Sequence, residues 1–137
     1  MISFNYETDF QLENQKVLSE WISNTIQSEG CKAGEINYIF CDDAYLYKLN
    51  LEYLNHDTLT DIISFDYSVG KELHGDIYIS VERVTENAKD FKVSFHNELH
   101  RVMIHGILHY CGYKDKTDKD AELMRKKEDD YLNTLSK

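Results

Sequence analysis

Residues 105–115 read His-Gly-Ile-Leu-His-Tyr-Cys-Gly-Tyr-Lys-Asp and combine a histidine pair with a glycine and a carboxylate. His105 and His109 are four residues apart, so on an α-helix they share one face, with Cβ atoms about 5–6 Å apart. Gly112 favours the left-handed conformation that ends a helix and turns the chain back. The spacing therefore predicts a site for one Zn²⁺ ion held by His105, His109 and Asp115. Three protein ligands leave a fourth tetrahedral position open, which is typical of catalytic rather than structural zinc.

A histidine pair at this spacing does not by itself require a metal ion, because a helix can also carry two hydrogen-bonded core histidines. The chain holds a second such pair, His96 and His100. At about 100° per residue the two pairs project from opposite sides of one helix. Only the second pair is followed by a glycine turn and a carboxylate. We therefore expect metal binding at His105 and His109, within a buried half of the helix, and a solvent-exposed face at His96 and His100.

The composition predicts one globular domain over residues 1–137, because 42% of the residues are hydrophobic. The net charge of −10 opposes broad, non-specific attraction to nucleic acid. No secretion signal opens the chain and no apolar run approaches 18 residues, so we expect a soluble, cytoplasmic protein without a membrane partner. The three cysteines are odd in number and lack Cys-x-x-Cys spacing, which favours reduced thiols, with Cys111 buried rather than bound to metal.

Hydrophobic periodicity divides the chain into four strands and five helices. The predicted strands are Ile2–Tyr6, Glu35–Cys41, Asp61–Tyr67 and Asp76–Ser80, with a polar turn containing Gly70 and Gly75 between the last two. The predicted helices are one through Leu18 and Ile26 that ends at Gly30, one that follows Asp42-Asp43, and the segments Val81–Asp90, Ser94–Cys111 and Lys119–Leu135.

The spacing His-x-x-x-His-x-x-Gly-x-x-Asp is similar to that of metzincin-like proteases. Those enzymes place a general-base glutamate directly after the first histidine, where this chain has Gly106. A protease is therefore the least favoured of the possible functions.

Three motifs in chain order resemble those of the YbeY family of bacterial rRNA-maturation endoribonucleases. They are Leu49-Asn50 with Thr60–Phe65, the segment Gly75–Ser80, and residues 105–113 with the downstream Ala121, Met124 and Glu128. The resemblance implies a single α+β domain in which a small mixed four-stranded sheet packs with about five helices, the metal-binding helix being central. It also implies a zinc-dependent, single-strand-specific endoribonuclease for 16S rRNA 3′-end processing and ribosome quality control. RNA and the ribosome are then the expected partners, and no DNA.

Two positions differ from the pattern of that family. The family usually has a histidine as third ligand, preceded by aspartate, where this chain has Lys114-Asp115. Carboxylate oxygen is also an ordinary zinc ligand, so Asp115 remains the expected third ligand. The family generally carries an arginine where this chain has Leu54. Either Arg83, Lys89 or Arg101 replaces that arginine, or activity and substrate preference differ.

These differences leave a second function open, a metal-bearing protein that binds RNA or the ribosome with little cleavage. No general base is assigned from the sequence. Asp61 and Asp76 begin predicted strands, where they could either line a cleft or cap turns, and neither is given a catalytic role.

Overall fold

The computed structural model describes residues 1–54 and 60–135, apart from the side chain of Leu54. Its strands are β1 (Ile2–Tyr6), β2 (Lys32–Cys41), β3 (Ile62–Asp66) and β4 (Glu72–Ser80). Its helices are α1 (Gln15–Ser28), α2 (Asp43–Leu54), α3 (Val81–Phe91), α4 (Phe95–Tyr110) and α5 (Asp118–Leu135).

The four strands form one mixed sheet in the order β1-β2-β4-β3. β2 is parallel to both β1 and β4, whereas β3 is the antiparallel edge strand beside β4. The predicted α+β class, with a small mixed sheet and five helices, is confirmed.

Two strands begin earlier than predicted, and each added segment contains a glycine: Gly34 in β2, and Gly75, which is predicted to lie in a turn, in β4. β2 starts at Lys32 rather than Glu35, and β4 starts at Glu72 rather than Asp76. A Cβ on Gly34 would lie 2.3 Å from the His74 ring, and one on Gly75 would lie 2.3 Å from the Tyr110 hydroxyl. Glycine within a strand often marks such a close approach of another group.

The main core lies between one face of the sheet and helices α1, α4 and α5. Alternate residues of β2 and β4 point into it, among them Tyr38, Phe40, Ile77 and Ile79, all fully buried. A smaller cluster of Cys41, Leu46 and Ile63 packs under α2 on the opposite face. The face of α4 that carries His105 and His109 therefore borders the main core, close to the edge of the sheet.

Helix α4 begins and ends with the signals that its sequence predicts. The Ser94 hydroxyl accepts a hydrogen bond from the backbone N–H of Asn97 at 3.1 Å, which caps the N-terminus. At the other end Gly112 has φ +106° and its N–H donates to the His109 carbonyl at 3.0 Å. This turn directs the following chain back toward the histidines.

Helix α5 is highly charged and turns only a few side chains inward, including Met124 and Glu128. Trp21 of α1 fixes it by donating from Nε1 to the Tyr131 carbonyl at 2.9 Å. Within residues 1–54 and 60–135, no helix has the length and apolar character needed to cross a membrane.

Gly75→Ala is expected to lower the free energy of unfolding by about 3 kcal/mol, because overpacking strain adds to a disturbed hydrogen bond. The new Cβ would lie 2.4 Å from the Phe65 carbonyl oxygen, to which the Tyr110 hydroxyl donates at 2.9 Å. Chemical denaturation measures the change, with Tyr110→Phe as the control that removes only the hydrogen bond. If Gly75→Ala is no more destabilising than this control, the close approach of Tyr110 to β4 is wrong.

Candidate metal centre

The structure brings the three predicted ligands together at the end of α4. The Oδ2 atom of Asp115 lies 3.3 Å from Nε2 of His105 and 3.4 Å from Nε2 of His109. The imidazole rings are 4.6 Å apart between centroids, and the three ligating atoms lie within 4.8 Å of one another. His105 and His109 come from successive turns of α4, and Asp115 comes from the segment that follows Gly112.

These separations fit ligands of one ion better than direct hydrogen bonds. Ligands about 2.0–2.1 Å from a tetrahedral zinc ion are themselves about 3.3–3.4 Å apart. A charge-assisted N–H···O bond is shorter, about 2.7–2.9 Å. The two distances to Asp115 match the first value, so the donor set fits a small divalent cation.

Glu128 of α5 fixes the ring of His105 from the side opposite Asp115. The Nδ1–H group of His105 donates to Oε2 of Glu128 at 2.7 Å, which leaves Nε2 directed toward Asp115. A carboxylate that holds the outer nitrogen of a ligating histidine is a common support of metal sites. Although burial of the ring lowers the pKa of His105, the hydrogen bond and charge of Glu128 raise it above the ordinary value overall.

Glu128 is only 5% exposed and also accepts a hydrogen bond from Nη1 of Arg101 at 2.9 Å. Arg101 reaches a second carboxylate, Asp129, through Nη2 at 2.6 Å. The sequence places Glu128 among the motif residues but does not reveal this role, because the contact joins α4 and α5 across 23 positions. A buried carboxylate in a highly charged helix cannot be distinguished by periodicity from its exposed neighbours.

A cleft of about 300 Å³ opens beside the candidate metal centre. Four carboxylates and two guanidinium groups line it, together with one imidazole and two apolar side chains: Asp61, Glu98, Asp115, Glu128, Arg101, Arg125, His105, Ile62 and Val102. Burial raises the pKa of both Asp61 and Glu98. Because four carboxylates face two guanidinium groups, the cleft is acidic before any cation enters it.

The two aspartates left unassigned by the sequence lie on different faces of the sheet. Asp61 lines the cleft and accepts a hydrogen bond from Nδ2 of Asn87 at 3.4 Å. Asp76 accepts from Asn37 at 3.0 Å and lines a groove beside Phe65 and Tyr78 on the α2 side. Asp76 is therefore not part of this cleft.

The second histidine pair is not a uniformly solvated face, contrary to prediction. His96 is exposed and lies 3.2 Å from Glu13, but the ring of His100 packs edge-on against Trp21 at 6.1 Å. Burial, with the nearby His96 charge, lowers the pKa of His100 to about 4. The reason for the difference is that α1 covers this side of α4.

Cys111 also lies outside the group of possible metal ligands. It is half-buried rather than buried as predicted, and burial raises the pKa of its thiol to about 12.

Of the three cations considered as replacements for an arginine at position 54, only Arg101 reaches the cleft. Arg83 pairs with Asp43 at 2.8 Å, and Lys89 lies 3.7 Å from Glu86. The side chain of Leu54 lies outside the described residues. Arg125, which sequence reasoning missed, also lines the cleft.

Comparison with known proteins identifies the family. The family model described as endoribonuclease YbeY matches residues 2–136. The chain belongs to the YbeY family. A curated relative named endoribonuclease YbeY from Flavobacterium johnsoniae is 69% identical over 132 residues, which cover 96% of this chain and 95% of the relative. The protein of the same name from Flavobacterium psychrophilum is 67% identical, covering 96% of this chain and 94% of its own length.

The fold is also shared with a solved structure. The solution structure of TM1509 from Thermotoga maritima superposes with a TM-score of 0.71 at 29% identity, covering 98% of this chain and 89% of the other. The architecture of this YbeY family member is therefore found in an experimentally determined protein.

Proposed function

We propose that this chain is a metal-dependent endoribonuclease that cleaves single-stranded RNA during rRNA maturation, including the 3′ end of 16S rRNA, and in ribosome quality control. The observation that carries the proposal is the convergence of His105, His109 and Asp115 beside a cleft that contains arginine. Membership of a family named for endoribonuclease activity supports the same reaction.

The proposed ligands of a single Zn²⁺ ion are His105, His109 and Asp115. Zinc held in this way supplies Lewis-acid activation of a hydroxyl nucleophile and of a phosphoryl oxygen. Glu128 holds Nδ1 of His105 at 2.7 Å, so it orients Nε2 as the ligating atom. Asp115 contributes a negative charge that a neutral third histidine would not, so we expect a less electrophilic metal than three histidines would give.

The proposed partners are precursor rRNA and the ribosome, with no DNA and no membrane. RNA suits the proposed chemistry because its 2′-hydroxyl is itself a nucleophile that DNA lacks. We further propose that residues 1–137 act as one endoribonuclease domain and that the protein works in the cytoplasm.

Removing the metal tests the function. Purified protein is expected to contain about one zinc ion per chain, and a chelator is expected to slow cleavage of a single-stranded oligoribonucleotide by at least about 10³-fold. Re-addition of zinc should restore the rate. Elemental analysis and gel assays measure both quantities.

Three parallel substrates complete the experiment: a duplex RNA, the DNA strand of the same sequence, and an unstructured protein. Preference for single-stranded RNA supports the proposal. Retained zinc without RNA cleavage would instead favour the metal-bearing binding protein, and proteolysis that depends on the metal would favour a protease.

A further inference from the structure

Arg125 occupies a position on α5 from which it reaches the wall of the catalytic cleft. It lies three residues before Glu128, so the two side chains project from neighbouring parts of one helix face. Glu128 contacts His105 directly, and both Arg125 and His105 line the same cleft. The guanidinium therefore shares the cleft with His105 and Asp115, two of the proposed metal ligands.

Arg101, the other arginine of the cleft, is already paired with carboxylates of the protein. Arg101 bonds Glu128 at 2.9 Å and Asp129 at 2.6 Å, and its side chain is only 14% exposed. Two carboxylates therefore compensate its charge and accept one hydrogen bond from each of its Nη atoms. Arg125 differs, because its residue is exposed, and in residues 1–54 and 60–135 no carboxylate oxygen lies within 4.0 Å of its guanidinium.

The charge of the cleft makes such a guanidinium important for an anionic substrate. Four carboxylates line the cleft against two guanidinium groups, so a phosphodiester entering it meets repulsion except near the metal and near Arg125. The charge of Arg125 also acts on Glu98 in the wall of the cleft. Burial and the charge of Asp61 raise the pKa of Glu98, and the positive charges of Arg101 and Arg125 oppose this rise. Guanidinium presents a planar pair of donors that matches two oxygens of a phosphate.

We propose that Arg125 binds a phosphate of the RNA strand within the cleft, beside the phosphate that reacts at the metal centre. This inference rests on the proposed ribonuclease function. It assigns substrate binding to α5, a helix that also supports the metal ligands through Glu128.

The test compares Arg125→Gln with Lys126→Gln in zinc-loaded protein. Each substitution removes one positive charge from adjacent positions, but Lys126 pairs with Asp130 at 3.3 Å and does not line the cleft. Binding is measured by fluorescence anisotropy with a 2′-O-methyl oligoribonucleotide at several salt concentrations. Cleavage is measured with the corresponding unmodified strand, and zinc content and thermal unfolding are recorded for each variant.

Arg125→Gln is expected to lower kcat/KM by about 10–100-fold, as the loss of a charged hydrogen bond does. The slope of log affinity against log salt should fall in magnitude by about 0.7, the value for one phosphate contact with a single strand. Zinc content and melting temperature should stay unchanged. Arg125→Lys should fall between wild type and Arg125→Gln, because lysine keeps the charge but not the paired donors.

Equal affinity, salt slope and kcat/KM for Arg125→Gln and Lys126→Gln would overturn the inference. Loss of zinc or of thermal stability in Arg125→Gln would also overturn it, in favour of a structural role. Wild-type protein that neither binds nor cleaves the strand would instead reject the proposed function, so the two failures are distinguishable.

Discussion

His109→Ala is expected to lower RNA cleavage by at least about 10³-fold and to leave the purified protein without stoichiometric zinc. The substitution removes one of the three proposed protein ligands, His109, whose Nε2 lies 3.4 Å from the Asp115 carboxylate. The side chain of His109 is 33% exposed, so its loss leaves the core intact. We therefore expect the free energy of unfolding of the metal-free protein to change by less than about 1 kcal/mol. Elemental analysis, initial rates and denaturation of metal-free protein measure the three effects.

The matched control is His96→Ala, which removes an imidazole from the same helix at an exposed position beside Glu13. It should keep wild-type zinc content and cleavage. Asp115→Ala should also lose zinc affinity, and unchanged affinity in that variant would mean that Asp115 is not the third ligand. Full activity of His109→Ala would mean that the proposed metal centre is not required for cleavage.

The proximity of His105, His109 and Asp115 is predictable from the sequence because the geometry that brings them together is local. A helix relates residues 105 and 109 by fixed rise and rotation, and Gly112 supplies the turn that returns Asp115 to them. No contact between distant elements is needed to bring the three side chains into one place. Ser94, where the sequence predicts that this helix begins, is the N-cap residue directly before α4.

Features that depend on packing between distant segments were not predictable in this way. Gly75 suggests a turn by composition, yet it lies in β4 because Tyr110 must approach the strand there. The sequence predicts that His100 lies on a solvent-exposed face, but Trp21 of α1 packs against its ring. The positions of Glu128 and Arg125 beside the cleft likewise follow from how α5 docks on α4. Periodicity identifies the inward face of that helix but not which charged residue meets which partner.

Glu128→Gln is expected to weaken zinc binding by about 10–100-fold, the usual effect of losing the carboxylate that supports a ligating histidine. In Glu128, one carboxylate oxygen accepts from Arg101 and the other from His105. A glutamine amide has only one acceptor oxygen, and its nitrogen is a donor, so it cannot replace both oxygens. Either the Arg101 bond at 2.9 Å or the His105 bond at 2.7 Å must therefore break. Titration with a zinc-buffered indicator measures the affinity.

The same variant should lose about 2–3 kcal/mol of unfolding free energy, because Glu128 is 5% exposed and its loss leaves charge on Arg101 imperfectly compensated. Asp129→Asn provides the matched comparison: it removes the other carboxylate bound to Arg101, at 2.6 Å, but that side chain is 53% exposed. Asp129 has no contact with His105 among the residues that the structure describes, so zinc affinity should stay at the wild-type value and stability should fall by less than about 1 kcal/mol. If the two variants weaken zinc binding equally, the support of the metal centre comes through Arg101 rather than through the direct bond from Glu128 to His105. If zinc binding is weakened only in Glu128→Gln, the contact between α5 and α4 is what orients His105 toward the metal.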